Sequence, residues 1–450
     1  MTQDISIIIL AAGKGTRMKS DLPKVMHKIA GREMLNLVLD EAKKLNPKEI
    51  AVVVSQDVLD YQDMILSEHS DAKIIFALQT ERKGTAHAAK VGFEALTQKA
   101  EKILILYGDT PLIEEETLGL MLEEIDAGKA VCVLGFESHF DNQYGRLVID
   151  EEGNFEKIVE FKDATDDEKE ITLCNSGVVA VDGNHIANLL AQVKNNNAPQ
   201  EFYLTDIVAI ARENGLECGF CATYEEEVLG VNSRFELAIL EGIKQNQLRK
   251  KFMEGGVSLL DPATIYFSYD TKIESDVVIH QNVVFGVDVE ISSGVEIKSF
   301  SHIEGAQIMS GAVVGPFARI RPNSQIGENV RVGNFVEIKN STLKDGAKAN
   351  HLAYIGDSEV GSDTNIGAGV ITCNYDGFKK YKTEIGADVF IGSNSALIAP
   401  VKIGDGALIA AGSIITKNVE IDDLAVARSN QIMIKNGAKK YRNTKSKNEI

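Results

Sequence analysis

The stretch from Gly311 to Ile338 reads GAVVGPFARIRPNSQIGENVRVGNFVEI and has an aliphatic residue at every sixth position. The residues that keep this spacing are Val314, Ile320, Ile326, Val332 and Ile338. A period of six cannot form one apolar stripe on an α-helix, whose period is about 3.6 residues. It is typical of a parallel β-helix, in which each aliphatic side chain points inward and stacked coils bury a continuous core.

The six-residue spacing extends to both sides of this stretch. It holds earlier at Ile273, Ile279, Phe285, Ile291, Ile297 and Ile303, and later at Ile385, Ile391, Leu397, Ile403, Ile409, Ile415 and Ile421. A less regular part passes through Ile355, Val360 and Ile366. The pattern predicts a β-helix domain over residues 252–450.

The first 230 residues have a different rhythm, in which short apolar runs alternate with helical patterns. The runs 5–10, 50–54, 73–77 and 102–106 are almost continuously apolar, as expected of strands buried on both faces of a parallel sheet. Strands that alternate with helices indicate a doubly wound, Rossmann-like α/β domain over 1–230. Residues 146–149 and 155–159 flank a turn at 150–153, which predicts an added hairpin.

A helix is predicted to connect the two domains. Ser233-Arg-Phe-Glu236 matches a capping box, and Gly255-Gly256 ends the helical pattern. We expect the helix over 231–251, with Phe235, Ile239 and Ile243 on its apolar face.

The composition of the chain bears on its partners and on its location in the cell. Lys and Arg number 47 and Asp and Glu number 66, so the net charge is −19, which disfavours nucleic acid as a partner. No apolar run is long enough to span a membrane. Five cysteines, including a lone Cys218/Cys221 pair, are few for this length and fit reduced thiols, so we expect a cytoplasmic protein.

A glycine-rich loop follows the first apolar run and reads LAAGKGTR over residues 10–17. Gly13 and Gly15 permit backbone N–H groups to face an anion, and Arg17 and Lys24 add positive charge. The spacing is neither that of a Walker A loop nor that of a full dinucleotide fingerprint. The segment indicates a polyphosphate site; a tight turn between strand and helix is the alternative.

Asp109 ends the apolar run that begins at residue 102. At the carboxyl edge of a parallel sheet, a carboxylate is well placed to hold Mg²⁺ against substrate phosphates. The alternative is a cap on the turn at Thr110-Pro111.

These motifs resemble a known enzyme family. LAAGKGTRM with the later LPK, Gln79 with Gly84-Thr85, and YGD ending at Asp109 resemble the nucleotidyltransferases that make nucleotide sugars. Joined to a hexad β-helix, the whole chain resembles the family of bifunctional N-acetylglucosamine-1-phosphate uridylyltransferases and glucosamine-1-phosphate N-acetyltransferases. Such enzymes make UDP-N-acetylglucosamine, a precursor of peptidoglycan and lipopolysaccharide, in the cytoplasm.

The resemblance implies site residues in the first domain. UTP and the nucleotide sugar would be bound by Leu10, Ala11, Ala12, Gly13, Lys24, Gln79, Gly84, Thr85, Gly145, Glu160, Asn175 and Asn232. Asp109 and Asn232 would hold Mg²⁺. We expect Lys24 and Arg17 to stabilise the charge that develops during uridylyl transfer.

A second site is expected on the β-helix. His351 interrupts the hexads, and Arg321, Lys339, Tyr354 and an excursion at 373–380 accompany it. A lone histidine is often structural, but excursions from a solenoid often carry function.

The resemblance makes His351 the general base for acetyl transfer from acetyl-CoA. It places the sugar phosphate on Arg321, Lys339, Tyr354, Asn365 and Lys380, and acetyl-CoA on Ala368, Asn374, Tyr375, Ser393, Ala411 and Arg428. It also implies a left-handed β-helix and a homotrimer.

Two other functions remain open from the sequence. One is a single-activity pyrophosphorylase whose β-helix only binds effectors, and the other is a β-helix scaffold without enzymatic activity.

Overall fold

The computed structural model describes residues 4–98, 100–138, 142–150, 153–195 and 200–445. It divides the chain into two compact units, Met1–Gln247 and Leu248–Ile450. Helix Arg234–Glu254 contributes residues to each. The boundaries predicted at 230/231 and 251/252 stay predictions.

The N-terminal unit alternates strands and helices. Its strands are β1 Ile5–Ala11, β2 Lys28–Ile29, β3 Arg32–Glu33, β4 Glu49–Val54, β5 Ile74–Leu78, β6 Lys102–Tyr107, β7 Val131–Glu137, β8 Arg146–Ile149, β9 Phe155–Val159, β10 Leu173–Asp182 and β11 Cys218–Thr223. Its helices are α1 Met34–Lys44, α2 Gln56–Leu59, α3 Gln62–Glu68, α4 Thr85–Ala95, α5 Glu115–Asp126, α6 Asp166–Lys169, α7 Ile186–Gln192, α8 Asp206–Glu213, α9 Glu225–Val228 and α10 Arg234–Glu254. Short 3-10 turns lie at Thr16–Met18 and Lys24–Met26.

The main sheet has the order β11-β7-β10-β6-β1-β4-β5. β1 pairs in parallel with β4 and β6, and β4 with β5, so the four predicted strands are confirmed to within one residue. β10 runs antiparallel to β6 and β7, which makes the sheet mixed rather than wholly parallel. β8 and β9 pair as the predicted hairpin, but turn residues 151–152 lie outside the described residues.

Each face of the sheet is covered, because the side chains of β1 alternate between two cores. Ile7 and Ile9 pack in one buried cluster with residues of α1 and α5. Ile8 and Leu10 pack in the other with residues of α4, α7 and α8. Two-sided burial explains why the runs are apolar without alternation. The carboxyl ends of the parallel strands are thereby left as the edge at which a ligand can bind.

The predicted capping box forms at the start of α10, but the helix runs over Arg234–Glu254 rather than 231–251 and buries different residues. Glu236 accepts the N–H groups of Asn232 and Ser233 at 2.6 and 2.7 Å, and the Ser233 hydroxyl accepts the N–H of Glu236 at 3.3 Å, so the capping box forms. Phe235 and Ile239 are 75% and 41% exposed, and the predicted apolar face is therefore wrong. The buried apolar residues of α10 are Leu240, Leu248 and Phe252.

The C-terminal unit consists of short parallel strands stacked in three sheets of ten, eight and eight strands. The strands are β12 Ser258–Leu259, β13 Lys272–Ile273, β14 Val278–Ile279, β15 Val284–Phe285, β16 Val289–Ile291, β17 Glu296–Ile297, β18 His302–Ile303, β19 Ala306–Ile308, β20 Val313–Val314, β21 Arg319–Ile320, β22 Ser324–Ile326, β23 Arg331–Asn334, β24 Glu337–Lys339, β25 Thr342–Leu343, β26 Lys348–His351, β27 Tyr354–Gly356, β28 Ser358–Val360, β29 Asn365–Ile366, β30 Ile371–Cys373, β31 Thr383–Ile385, β32 Phe390–Ile391, β33 Ala396–Ile398, β34 Val401–Ile403, β35 Leu408–Ile409, β36 Ile414–Ile415 and β37 Leu424–Ala425. Helix α11 Gly437–Lys445 follows.

These three sheets form the predicted parallel β-helix. Every third strand pairs with the next of its sheet, as in β14–β17–β20–β23, and hexad residues such as Ile297, Val314 and Ile338 are fully buried. The prediction is wrong for Ile421, which is 64% exposed, because Val419 rather than Ile421 pairs with Ile403 in the last coil.

One corner of the β-helix carries an exposed apolar column, formed by Phe300, Phe317, Phe335 and Leu352, which we call the corner column. The Phe300–Phe317 and Phe317–Phe335 ring centroids are 4.9 and 5.2 Å apart, and the rings are stacked. All four residues have positive φ, between 49° and 63°, a conformation that glycine or asparagine usually supplies. They are 45–59% exposed. The protein therefore keeps bulky apolar side chains on its surface although their backbone conformation costs conformational free energy.

Among the described residues, no helix has both the length and the apolar character needed to cross a bilayer.

The buried side chain of His69 predicts a pH dependence of stability. Its Nε2 lies 3.3 Å from Asn36 Oδ1 and its Nδ1 3.5 Å from Lys43 Nζ, and burial lowers its pKa to about 4. The unfolded chain binds this proton near pH 6.5, whereas the folded chain does not bind it until pH falls to about 4. The free energy of unfolding should therefore fall by up to about 3 kcal/mol as pH drops through this window.

Urea unfolding followed by circular dichroism at 222 nm, at several pH values between 7 and 4, measures this effect. The His69→Gln variant should have a shallower dependence of unfolding free energy on pH than the unsubstituted protein. Equal slopes would contradict the assignment.

Two candidate active sites

The glycine-rich loop begins where β1 ends, at the carboxyl edge of the sheet. Gly15 has φ +56°, and a Cβ there would lie 2.7 Å from the Cβ of Lys24. A glycine at this position therefore permits Lys24 to pack against the loop. As a result, Lys24 Nζ lies 3.8 Å from the point that a Cβ on Gly13 would occupy.

A cavity of about 290 Å³, which we call the nucleotide cavity, opens at this edge. Its lining includes nine of the residues predicted from the sequence: Leu10, Ala11, Ala12, Gly13, Lys24, Gln79, Gly84, Thr85 and Asp109. These residues come from five separate segments, so the fold has brought them together. Arg17 is exposed and does not line the cavity, and its catalytic role stays a prediction.

Lys24, Asp109 and Asn232 form a cluster beside the loop. Lys24 Nζ forms an ion pair with Asp109 Oδ2 and donates to Asn232 Oδ1 at 3.2 Å. The N–H of Val231 donates to the carbonyl of Asp109 at 2.9 Å, which ties the segment before α10 to the end of β6. The capping box then fixes Asn232 from the other side.

This cluster fits a magnesium ion. Asp109 and Asn232 offer two hard oxygen ligands, and they already share one cation, the Lys24 ammonium. Among the described residues, no group of three or more His, Cys, Asp or Glu could hold a metal. Mg²⁺ commonly uses one or two protein oxygens and takes its remaining ligands from water and substrate phosphates.

The turn into α4 forms another part of the cavity wall. Gly84 has φ +112°, and a Cβ there would collide with the carbonyl oxygen of Phe202, so only glycine fits. The Thr85 hydroxyl accepts the N–H of Leu204 at 2.9 Å. Gln79, at the end of β5, is only 7% exposed.

Gly145, Glu160 and Asn175 do not line the nucleotide cavity. The N–H of Asn175 donates to the carbonyl of Gly145 at 2.8 Å. Glu160 accepts the hydroxyl of Thr205 at 3.1 Å and lines a second cavity of about 310 Å³. Burial raises the pKa of Glu160, and burial together with Glu160 raises the pKa of Asp206 to about 6.

Tyr107 lines the nucleotide cavity and also lies near the group formed by Gly145, Glu160 and Asn175. The side chain is half-buried, and burial followed by the charges of Asp109 and Glu160 raises its pKa. A Cβ on Gly177 would lie 2.9 Å from its ring, so the chain just after Asn175 passes against it. The predicted sugar-binding residues therefore lie next to the nucleotide cavity and not within it.

On the β-helix, His351 is exposed at the end of β26, where it pairs with Asn334 on the coil before. Its Nδ1 lies 2.9 Å from Asn334 Oδ1. Because an amide oxygen only accepts, Nδ1 must carry the proton, and Nε2 is left with a free lone pair.

Three other predicted residues stack at the same corner as His351. The paired residues Ala349, Ile366, Ile391 and Ile409 occupy equivalent positions in successive coils. Two positions further along, the equivalent residues are His351, Ala368, Ser393 and Ala411. Arg428 Nη1 donates to the carbonyl of Ala411 at 2.6 Å. The predicted acetyl-CoA residues thus continue from His351 along one corner, which we call the His351 corner.

A cluster of cations lies on the neighbouring sheet. Arg321 stacks in register with Lys339, since Ile320 pairs with Ile338, and forms an ion pair of 2.9 Å with Glu337. The adjacent Lys339 ammonium lowers the pKa of Lys380. Two ammonium groups held together in this way favour an anion between them.

Tyr354 and Asn374 converge beside these cations. The Tyr354 hydroxyl and the Asn374 amide nitrogen would lie 2.5 and 2.8 Å from a Cβ on Gly356, so only a glycine leaves them room. Asn374 donates to Asp357. Tyr375 and Lys380 form a bridge that closes the excursion. Asn365 pairs with Lys348 and Phe390, three positions before the His351 corner, and is not joined to this cluster.

Several residues at the two sites were missed from the sequence. Arg82, Tyr107 and Glu201 line the nucleotide cavity. Arg82 Nε also donates to the carbonyl of Ala12 at 2.9 Å. Asn334 and Glu337 were missed on the β-helix. Asn334 precedes His351 by one coil, and counting in coils would have found it; nothing in the local pattern marks Arg82 or Glu201.

The chain matches three described families in separate segments. Residues 7–203 match the MobA-like NTP transferase domain. Residues 302–376 match the GMPPB C-terminal domain, and residues 382–417 match six repeats of the bacterial transferase hexapeptide. The stacked parallel sheets and these repeats make the C-terminal unit a left-handed β-helix of the hexapeptide type.

Several proteins are similar to this chain over almost its whole length, and so over both units. Bifunctional protein GlmU of Rhodospirillum rubrum is 52% identical over 437 residues, 97% of this chain and 96% of the relative. The protein of the same name from Paramagnetospirillum magneticum is 50% identical over 440 residues, again 97% and 96%. That of Zymomonas mobilis is 48% identical over 444 residues, 98% of each chain. The chain belongs to the GlmU family of bifunctional transferases.

Proposed function

We propose that this enzyme makes UDP-N-acetylglucosamine in two steps, one in each unit. The C-terminal unit acetylates glucosamine-1-phosphate with acetyl-CoA, and the N-terminal unit joins the product to UMP from UTP and releases pyrophosphate. The observation that supports this most is the meeting of Leu10–Gly13, Gln79, Gly84 and Thr85 around one cavity with Lys24 and Asp109.

In the uridylyl transfer, a phosphate oxygen of the sugar phosphate attacks the α-phosphorus of UTP, and pyrophosphate leaves. Such transfers depend mainly on alignment and on neutralising charge. Lys24 would bind the phosphates, with backbone N–H groups of the loop and with Arg82. Asp109 and Asn232 would hold Mg²⁺, which neutralises phosphate charge when bound. Gly145, Glu160 and Asn175 would hold the sugar.

In the acetyl transfer, the sugar amine attacks the thioester carbonyl of acetyl-CoA, and the CoA thiolate leaves. His351 Nε2 would accept the amine proton, since Asn334 holds the proton on Nδ1. Arg321, Lys339, Tyr354 and Lys380 would bind the phosphate, and Asn365 is proposed to contact the sugar. Acetyl-CoA would lie along Ala368, Ser393, Ala411 and Arg428, with Asn374 and Tyr375 beside it.

The corner column supports self-association. Apolar rings that are kept exposed at positive φ indicate a surface that another chain covers. A homotrimer is the proposed assembly, because three copies around an axis parallel to the β-helix would bury three such columns. The five free cysteines and the use of UTP and acetyl-CoA support a reducing, cytoplasmic setting.

Lys24→Ala should lower kcat/KM for pyrophosphate formation from UTP and N-acetylglucosamine-1-phosphate by about 10²–10³-fold, because one cation is lost from the reacting phosphates. CoA release from acetyl-CoA and glucosamine-1-phosphate should be unchanged. Lys28→Ala, which removes an exposed lysine paired with Glu33, is the matched control. Equal losses in Lys24→Ala and Lys28→Ala would contradict the role of Lys24.

His351→Ala should lower the rate of CoA release by at least about 10²-fold, since the general base is removed, while pyrophosphate formation is preserved. Asn334→Ala should lower CoA release less, because it only orients the imidazole. His280→Ala, several coils away, is the control. An unchanged acetylation rate in His351→Ala would favour the single-activity alternative.

Phe317→Asp should dissociate the assembly, because a charge is placed in the middle of the corner column. Sedimentation equilibrium should give three times the chain mass for the unsubstituted protein and a smaller mass for the variant. Tyr224→Asp changes an aromatic residue that is 86% exposed in the N-terminal unit and should leave the mass unchanged. A trimeric Phe317→Asp variant would show that the column is not an interface.

A further inference from the structure

The side chain of Gln79 touches a histidine that does not belong to the nucleotide cavity. Gln79 Nε2 lies 3.0 Å from Nδ1 of His87, which is in the first turn of α4. Gln79 lines the nucleotide cavity and His87 does not. His87 instead lines a separate cavity of about 490 Å³ with Lys83, Lys90 and Phe202. Of the two side chains, only Gln79 therefore faces a nucleotide bound in the nucleotide cavity.

In this hydrogen bond Gln79 is the donor and His87 is the acceptor. An amide nitrogen donates and never accepts, so His87 Nδ1 must be the acceptor, and the imidazole proton must be on Nε2. The reversed amide would turn its oxygen toward Nδ1 and could keep a hydrogen bond only if the imidazole proton moved from Nε2 to Nδ1, which is the less stable tautomer of a free histidine side chain. Because Gln79 is only 7% exposed, water cannot readily replace His87 as the partner.

The orientation of the amide decides which pyrimidine it can pair with. With one hydrogen of Nε2 given to His87, the amide still offers an acceptor, Oε1, beside a second N–H donor. Uracil presents a matching pair, the N3–H donor beside the O4 acceptor. Cytosine presents the reverse, the N3 acceptor beside the N4 amino donor, and would fit only the reversed amide.

We propose that His87 is a positioning residue that gives the enzyme its preference for UTP over CTP, by holding the Gln79 amide in the orientation that pairs with uracil. The proposal rests on the proposed function, since it takes Gln79 to face the base of the nucleotide. His87 itself does not line the nucleotide cavity.

The test compares kcat/KM for UTP with kcat/KM for CTP, each with N-acetylglucosamine-1-phosphate. His87→Phe keeps a planar ring but has no acceptor, and the UTP/CTP ratio should fall by on the order of tenfold or more. His87→Leu, which also lacks an acceptor, should give the same result, so the test does not depend on one variant folding. His87→Asp places an oxygen that can only accept where Nδ1 lies and should largely restore the ratio.

Lys90→Ala is the matched control, because Lys90 lines the cavity of His87 without contacting Gln79; its ratio should equal that of the unsubstituted protein. A general loss of packing would lower kcat/KM for both nucleotides and leave their ratio unchanged. The inference is overturned if folded His87→Phe and His87→Leu keep the full UTP preference. If the unsubstituted enzyme uses CTP as well as UTP, or neither, the proposed function fails together with this inference.

Discussion

Backbone hydrogen bonds between parallel strands hold each coil of the β-helix directly above the last. The N–H of Lys348 donates to the carbonyl of Thr364 at 2.9 Å, and that of Asn365 to Val389 at 2.9 Å. This pairing converts spacing along the chain into columns along the surface. Residues dozens of positions apart, such as His351 and Ala411, therefore lie at one corner, and a long ligand can contact one residue from each coil.

The same kind of pairing sets the first site. β1, β4, β5 and β6 run in parallel, so the loop after β1, Gln79 after β5 and Asp109 after β6 meet at one edge of the sheet. Lys24 then joins Asp109 to Asn232, and the capping box of α10 fixes Asn232. Both sites are thus built from residues that follow or end strands, on backbones whose positions are determined by buried apolar side chains.

The β-helix and the parallel strands of the first domain could be predicted from the sequence, because hexads and buried strands leave strong patterns in it. The antiparallel direction of β10 leaves no such signal. A strand that is buried on both faces has the same apolar sequence pattern whether it runs parallel or antiparallel to its neighbours. Phe235 and Ile239 were misplaced because helical spacing does not say which face of α10 meets a neighbour. Arg82 and His87 act through single contacts formed by folding, and neither lies in a pattern that spacing can reveal.

Acetyl-CoA is proposed to bind along the His351 corner. A crystal structure of the His351→Ala variant with acetyl-CoA and glucosamine-1-phosphate would locate both ligands. We expect the thioester beside position 351 and the rest of acetyl-CoA along Ala368, Ser393 and Ala411, with the sugar phosphate between Arg321 and Lys380. Density for acetyl-CoA on another face of the β-helix would contradict it.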